Sequence, residues 1–105
     1  MKIFKLSDMV GNWFVGSFSP TAHPANFEVS YKVHKKDEVC PAHFHKRATE
    51  VNLLVRGKMS VNKEVVNAGE IFIIEPYMVA EVEFFEDSEL VVVKTVSDTK
   101  DKYLI

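Results

Sequence analysis

His43 and His45 flank a single residue, and a β-strand sends alternate side chains to the same face. The two imidazoles then sit about 6.6 Å apart along that face, at ~3.3 Å rise per residue, with Phe44 turned away. Both rings can converge on one metal ion. Four residues separate His45 from Glu50, room for a tight connection, and Glu50 opens an apolar run ending at Arg56-Gly57. Two histidines and one carboxylate suit a divalent transition metal and leave coordination positions open. Such an ion polarises a carbonyl or enolate oxygen or, if it is iron, meets dioxygen.

These residues need a rigid frame, and the rest of the chain reads as short strands divided by turn chemistry. Trp13 to Phe18 has strand character, and the two prolines between Pro20 and Asn26 make that segment a loop. His23 falls in this loop, a surface histidine. From Phe27 to His34 the alternation is unbroken: Phe27, Val29, Tyr31 and Val33 face one way, Glu28, Ser30, Lys32 and His34 the other. That predicts a half-buried strand whose polar face meets solvent, the alternative being a barrel interior.

Val39 to His45 and Glu50 to Arg56 follow as strands. Met59 to Val61 and Val65-Val66 are joined through Asn62-Lys63 as a hairpin. Glu70 to Ile74 is almost continuously apolar, which predicts cover on both faces. Val79 to Phe85 and Leu90 to Thr95 complete the set. No segment of ten or more residues carries a 3.6-residue period. Nine or ten short strands with regular turns predict an all-β sandwich or barrel.

At 105 residues the chain is expected to form one domain, 1–105, with its own core. A net charge of −2 and basic runs no longer than two residues argue against binding nucleic acid. No run approaches the ~20 apolar residues of a membrane span. One cysteine, Cys40, forms no internal disulfide, which fits a reducing, cytoplasmic setting. It has no evident activating base in the sequence and reads as a buried or idle thiol.

His43-Phe44-His45, four residues, Glu50, six residues and Gly57 together resemble the first signature motif of the cupins. Gly69-Glu-Ile-Phe-Ile-Ile-Glu-Pro76 is similar to the start of the second. The resemblance covers about His43 to Phe85 and implies a double-stranded β-helix, or jelly roll. It also implies a metal bound by His43, His45 and Glu50 (Zn, Ni, Mn or Fe), and frequent homodimers paired through their sheets. The second motif departs from the pattern where a further histidine is expected. Counting from Gly69 puts Ala80 there, and counting from Pro76 puts Glu81 there. Either Glu81 is a fourth ligand after a one-residue shift, or the site has three ligands, or metal binding is lost. A one-residue shift reverses the face a side chain occupies.

Asn52 shares a face with Glu50 and suits a group that supports the ligands or touches a bound molecule. Acid–base candidates are Tyr31, His34, Glu75 and Tyr77, with Glu81 if it is not a ligand. The acidic residues from Glu81 to Glu89 read as a solvated edge and turn. Two functions stand side by side. One is a metal-dependent isomerase, dioxygenase or lyase acting on a small polar metabolite. The other is a non-catalytic small-molecule-binding or accessory domain with a degenerate metal site.

Overall fold

A computed structural model describes all 105 residues, and strands dominate it. Ten are formed: β1 Trp13–Val15, β2 Glu28–His34, β3 His43–Phe44, β4 Glu50–Arg56, β5 Lys58–Val61, β6 Glu64–Asn67, β7 Ile71–Ile74, β8 Val82–Phe84, β9 Ser88–Lys94 and β10 Tyr103–Leu104. Two single 3-10 turns, Leu6–Asp8 and Val10–Asn12, precede them. The strands make a five-stranded sheet in the order β1-β2-β9-β4-β7, a three-stranded sheet β6-β5-β8 and a two-stranded ribbon β10-β3. Every pairing is antiparallel. The expected double-stranded β-helix is therefore what the chain forms.

The inner faces of the two larger sheets meet in one core of Leu54, Met59, Val61, Val66, Ile74, Ala80, Phe84, Leu90 and Val92. Central strand β9 sets the pattern. Its Ser88, Leu90, Val92 and Lys94 are buried, while Glu89, Val91 and Val93 turn outward. Leu54 loses all solvent contact. Truncating such a leucine to alanine costs about 2–5 kcal/mol.

Turn chemistry fixes the register. Asn62 and Lys63 both adopt positive φ, the two-residue turn whose twist matches a hairpin. Gly57, at φ 102°, closes the β4–β5 corner, and a Cβ there would stand 2.4 Å from Ser88 Oγ and 2.5 Å from the Asp87 carbonyl. Only glycine fits.

The structure revises several expectations. The polar face of β2 points inward: Glu28 and Ser30 are buried, and Glu28, Ser30, Lys32 and His34 are registered against inward-facing Lys94, Val92, Leu90 and Ser88 of β9. Phe27 and Val33 of the apolar face stay exposed. On this strand the usual rule of hydrophobic burial is reversed, although the core it adjoins is apolar. β7 is an edge strand, and its Ile71 and Ile73 are 64% and 50% exposed rather than covered. The strand expected over Val39 to His45 shrinks to His43–Phe44, and the one over Val79 to Phe85 to Val82–Phe84, with Ala80 making a lone bridge to His43. The pairing of the tail strand β10 with β3 was not anticipated.

Candidate metal centre

Strand alternation decides the first step. Phe44 turns away from the barrel to stack on Tyr103 (5.3 Å between centroids) and Tyr77 (6.3 Å), so His43 and His45 share the opposite side. The backbone around them is held from both directions. Ala80 N–H donates to the His43 carbonyl at 2.9 Å, Tyr77 N–H to the His45 carbonyl at 2.6 Å, and β10 pairs along β3. Glu50 returns to the histidines through the connection Lys46 to Thr49. The carboxylate of Asp101, 2% exposed, accepts N–H bonds from Lys46, Arg47 and Ala48 at 2.8, 3.0 and 2.9 Å. One buried acid thus shapes the turn that delivers the third donor.

The three side chains converge: their ligand atoms all lie within 4.8 Å of one another. The histidine rings stand edge to face, 5.2 Å between centroids at 81°, and His45 Nδ1 is 3.6 Å from Glu50 Oε2. His43 Nδ1 lies 3.3 Å from the Pro41 carbonyl, which only accepts, so this nitrogen carries the proton and leaves Nε2 with its lone pair. Burial, then the Lys94 ammonium, hold the His45 pKa below its ordinary value, against the opposing pull of Glu50 and Asp101. A neutral imidazole is the form that ligates. Asn52, 3% exposed, directs its amide to Glu50 Oε1 at 3.5 Å. Donor types, spacing and tautomer all fit a divalent transition ion.

The surrounding wall is polar. Lys94 of β9 is registered with Glu28 of β2 on one side and Glu50 of β4 on the other, and its Nζ lies 3.4 Å from Glu28 Oε1 with both side chains buried. Ser97 donates to the other Glu28 oxygen at 2.9 Å. Two ammonium groups lie over the Trp13 ring, Lys32 at 4.9 Å and Lys94 at 5.5 Å from its centroid. Attraction to the ring face helps hold both lysines.

The other candidates fall elsewhere. Glu81 is exposed and does not join the cluster; its backbone exchanges bonds with Asn62, while buried Ala80 takes the position opposite His43. A step of one residue put the acid on the wrong face. Tyr31 donates to Glu89 Oε1 at 3.1 Å on the outer face, beside an apolar pocket of about 340 Å³. Glu75 is exposed beyond the end of β7, and Tyr77 is 67% exposed against Phe44. His34 faces inward but pairs with Glu38. Sequence reasoning missed Asp101, Lys94, Glu28 and Trp13. For Lys94 a signal existed, the strict alternation from Ser88 that places it on the core face. For Asp101 there was none, because its partners lie more than fifty residues away.

No family model and no curated protein matches the chain. Solved structures do. An uncharacterized conserved protein with a double-stranded β-helix domain from Klebsiella pneumoniae subsp. pneumoniae MGH 78578 superposes with a TM-score of 0.73 at 17% identity, over 98% of this chain and 90% of that one. A recombinant oxalate oxidase in complex with glycolate gives 0.62 at 22% identity over 75% of this chain; the match spans only 46% of the oxidase, about half its length. A cupin-2 domain containing protein from Shewanella frigidimarina NCIMB 400 gives 0.54 at 15% identity, covering 65% and 69% of the two chains. Strand order, inward-facing centre and these superpositions agree: the chain has the double-stranded β-helix fold of a small cupin domain.

Proposed function

We propose that residues 1–105 form one cupin-like unit in which His43, His45 and Glu50 hold a divalent transition metal (Zn, Ni, Mn or Fe), and that a small acidic metabolite binds beside it. The observation that carries this reading is the convergence of the three donors, with His43 in the ligating tautomer. When bound, the ion supplies Lewis acidity and open coordination positions. Asn52 orients the Glu50 carboxylate, and Asp101 fixes the turn between the second histidine and the acid.

Charge argues for the ligand class. Lys32 and Lys94 balance Glu28 and Glu50 on the wall, so a divalent ion leaves the interior positive and favours a carboxylate over a neutral sugar. The glycolate held by the oxalate oxidase, a small hydroxy acid, is of this class. Isomerase, dioxygenase and lyase chemistry are each compatible with such a centre.

One observation favours a second reading, a non-catalytic binding or accessory domain. Tyr31 and Tyr77 turn to the outer face, His34 belongs to another cluster, and Glu75 is exposed, so no acid–base group from this set attends the centre.

We also propose a homodimer and a reducing, cytoplasmic setting. Val29, Val93, Val51 and Ile73 line up across the outer face of the large sheet, with Tyr31, Val91, Leu53 and Ile71 as a parallel row. Two such faces would cover each other. Cys40 is the single cysteine and half-buried.

The test is elemental analysis of tag-free protein beside the His43→Ala/His45→Ala variant. Near-stoichiometric metal lost in the variant supports the centre; protein that takes up no Zn, Ni, Mn or Fe refutes it. Thermal shifts of the loaded protein against small carboxylates and neutral sugars then test the ligand class. Saturation at a hundredfold above Kd stabilises by about 2.7 kcal/mol. Equal response to sugars and acids would remove the acidic-ligand assignment.

A further inference from the structure

Outside the centre just described, one other group of ligating side chains converges: His34, Glu38 and Cys40, whose donor atoms lie within 4.8 Å of one another. β2 ends at His34, whose ring stacks on Phe84 at 4.4 Å and 16°. The turn that follows is pinned at three points. Asp37 N–H donates to the Phe84 carbonyl at 2.9 Å, Lys36 N–H to Asp87 Oδ1 at 2.8 Å, and Glu38 N–H to the Lys35 carbonyl at 3.0 Å. Glu38 Oε2 lies 2.5 Å from His34 Nδ1, and Cys40 Sγ lies 4.0 Å from that nitrogen and 3.7 Å from the same carboxylate oxygen.

This trio is not a nucleophile with its base. A cysteine–histidine–acid relay uses both ring nitrogens, one for the thiol and one for the acid. Here thiol and carboxylate meet the same Nδ1. Burial, and then Glu38, also push the Cys40 thiol up, away from the thiolate. Three different donors around one point serve a cation instead.

We propose that His34, Glu38 and Cys40 form a second metal site, taking a borderline divalent transition ion of the Zn²⁺ class. Imidazole and thiolate together select such ions over the hard cations that carboxylates alone would hold. Tetrahedral zinc, with bonds of about 2.0 Å to nitrogen and oxygen and about 2.3 Å to sulfur, spaces its donors about 3.3–3.5 Å apart. The two sulfur separations are within about half an ångström of that, and the His34–Glu38 contact opens by about 0.8 Å when the ion displaces the hydrogen bond. Glu38, 38% exposed, is free to make that move. On loading, the Cys40 S–H bond breaks, the sulfur binds the ion as thiolate and the proton leaves to solvent. His34 also lines a polar groove of about 620 Å³ with Lys35, Lys36 and Asp87, and water would complete the coordination. The ion joins the end of β2 to the segment that leads into Pro41 and His43.

Sulfur makes this site separable from the first, which has none. Reduced protein carrying His43→Ala/His45→Ala is titrated with Co²⁺, and the sulfur-to-cobalt charge-transfer band is followed in the near ultraviolet. One equivalent of Co²⁺ producing the band is the expected result. Cys40→Ser abolishes it, and Glu38→Gln and His34→Phe, the latter keeping the stack on Phe84, weaken binding tenfold or more. No band at excess Co²⁺, or a band that survives Glu38→Gln and His34→Phe at full affinity, overturns the proposal. Unchanged melting curves of the free variants separate lost ligation from lost folding. Loss of metal in the first site alone leaves the cobalt–sulfur band in place, so the two assignments fail independently.

Discussion

Ala80 stands directly across from His43, its N–H donating to the histidine carbonyl at 2.9 Å, and the residue is 7% exposed within the core. The position that could supply a fourth ligand therefore carries no donor, and Glu81 beside it faces away. Ala80→His should raise metal affinity on the order of tenfold, with about 1–3 kcal/mol of lost stability from overpacking. Glu81→Ala should leave affinity unchanged. Isothermal titration of both variants with Zn²⁺ checks this; a tenfold loss in Glu81→Ala would restore the acid as a ligand.

Asp101 should matter to the centre without touching it. Burial alone would raise its pKa, but the N–H groups of Lys46, Ala48 and Arg47 outweigh burial and hold the carboxyl below its ordinary range. A group depressed in the folded state contributes stability above its unfolded pKa, near 3.9, and that contribution fades as pH falls through the lower folded value. Thermal melts should therefore show a loss of stability below about pH 4 that is missing in Asp101→Asn. At neutral pH the variant should be less stable by about 2–3 kcal/mol, since hydrogen bonds to a charged group contribute that much. A variant with wild-type melting and metal affinity would deny Asp101 its role in the turn.

Lys94 and Glu28 should behave as a couple. Removing one partner of a buried pair strands the other charge, so Lys94→Met should cost about 3–5 kcal/mol. Adding Glu28→Gln should recover much of it. Lys94→Met also removes the positive charge next in influence after burial on His45, so the imidazole pKa, read by NMR titration of the metal-free protein, should rise. Additive losses in the double variant would contradict the coupling.

The outer face predicts association. Ile73, opposite Val51 and half exposed, lies within one of the apolar rows. Ile73→Lys should convert a dimer to a monomer in light scattering without lowering the metal content. Wild-type protein that is monomeric at high micromolar concentration would contradict this use of the face.

How much of this was legible depended on the kind of signal. Period-two alternation was enough to put His43 and His45 on one face, because the face a residue takes follows from counting, whereas Glu50 was read from the short connection and the cupin-like spacing. Counting also read β2 correctly, yet the side assigned to it was reversed. Hydrophobicity chooses the inner face only when the interior is apolar, and here Glu28, Ser30, Lys32 and His34 line it. The same counting could not decide between Ala80 and Glu81, since the intervening turn contains Tyr77 at φ 67°, a local geometry that spacing does not encode. Asp101 escaped altogether, a lone acid in a polar stretch whose partners are set by the fold.

The tail strand gives the centre an unusual assembly history. β10 and Asp101 reach back across more than fifty positions to β3 and the turn beyond it. Closing so long a loop is entropically slower than zipping a neighbouring hairpin such as β5–β6. The frame around the histidines is therefore expected to close after the local hairpins, once distant parts of the chain have met.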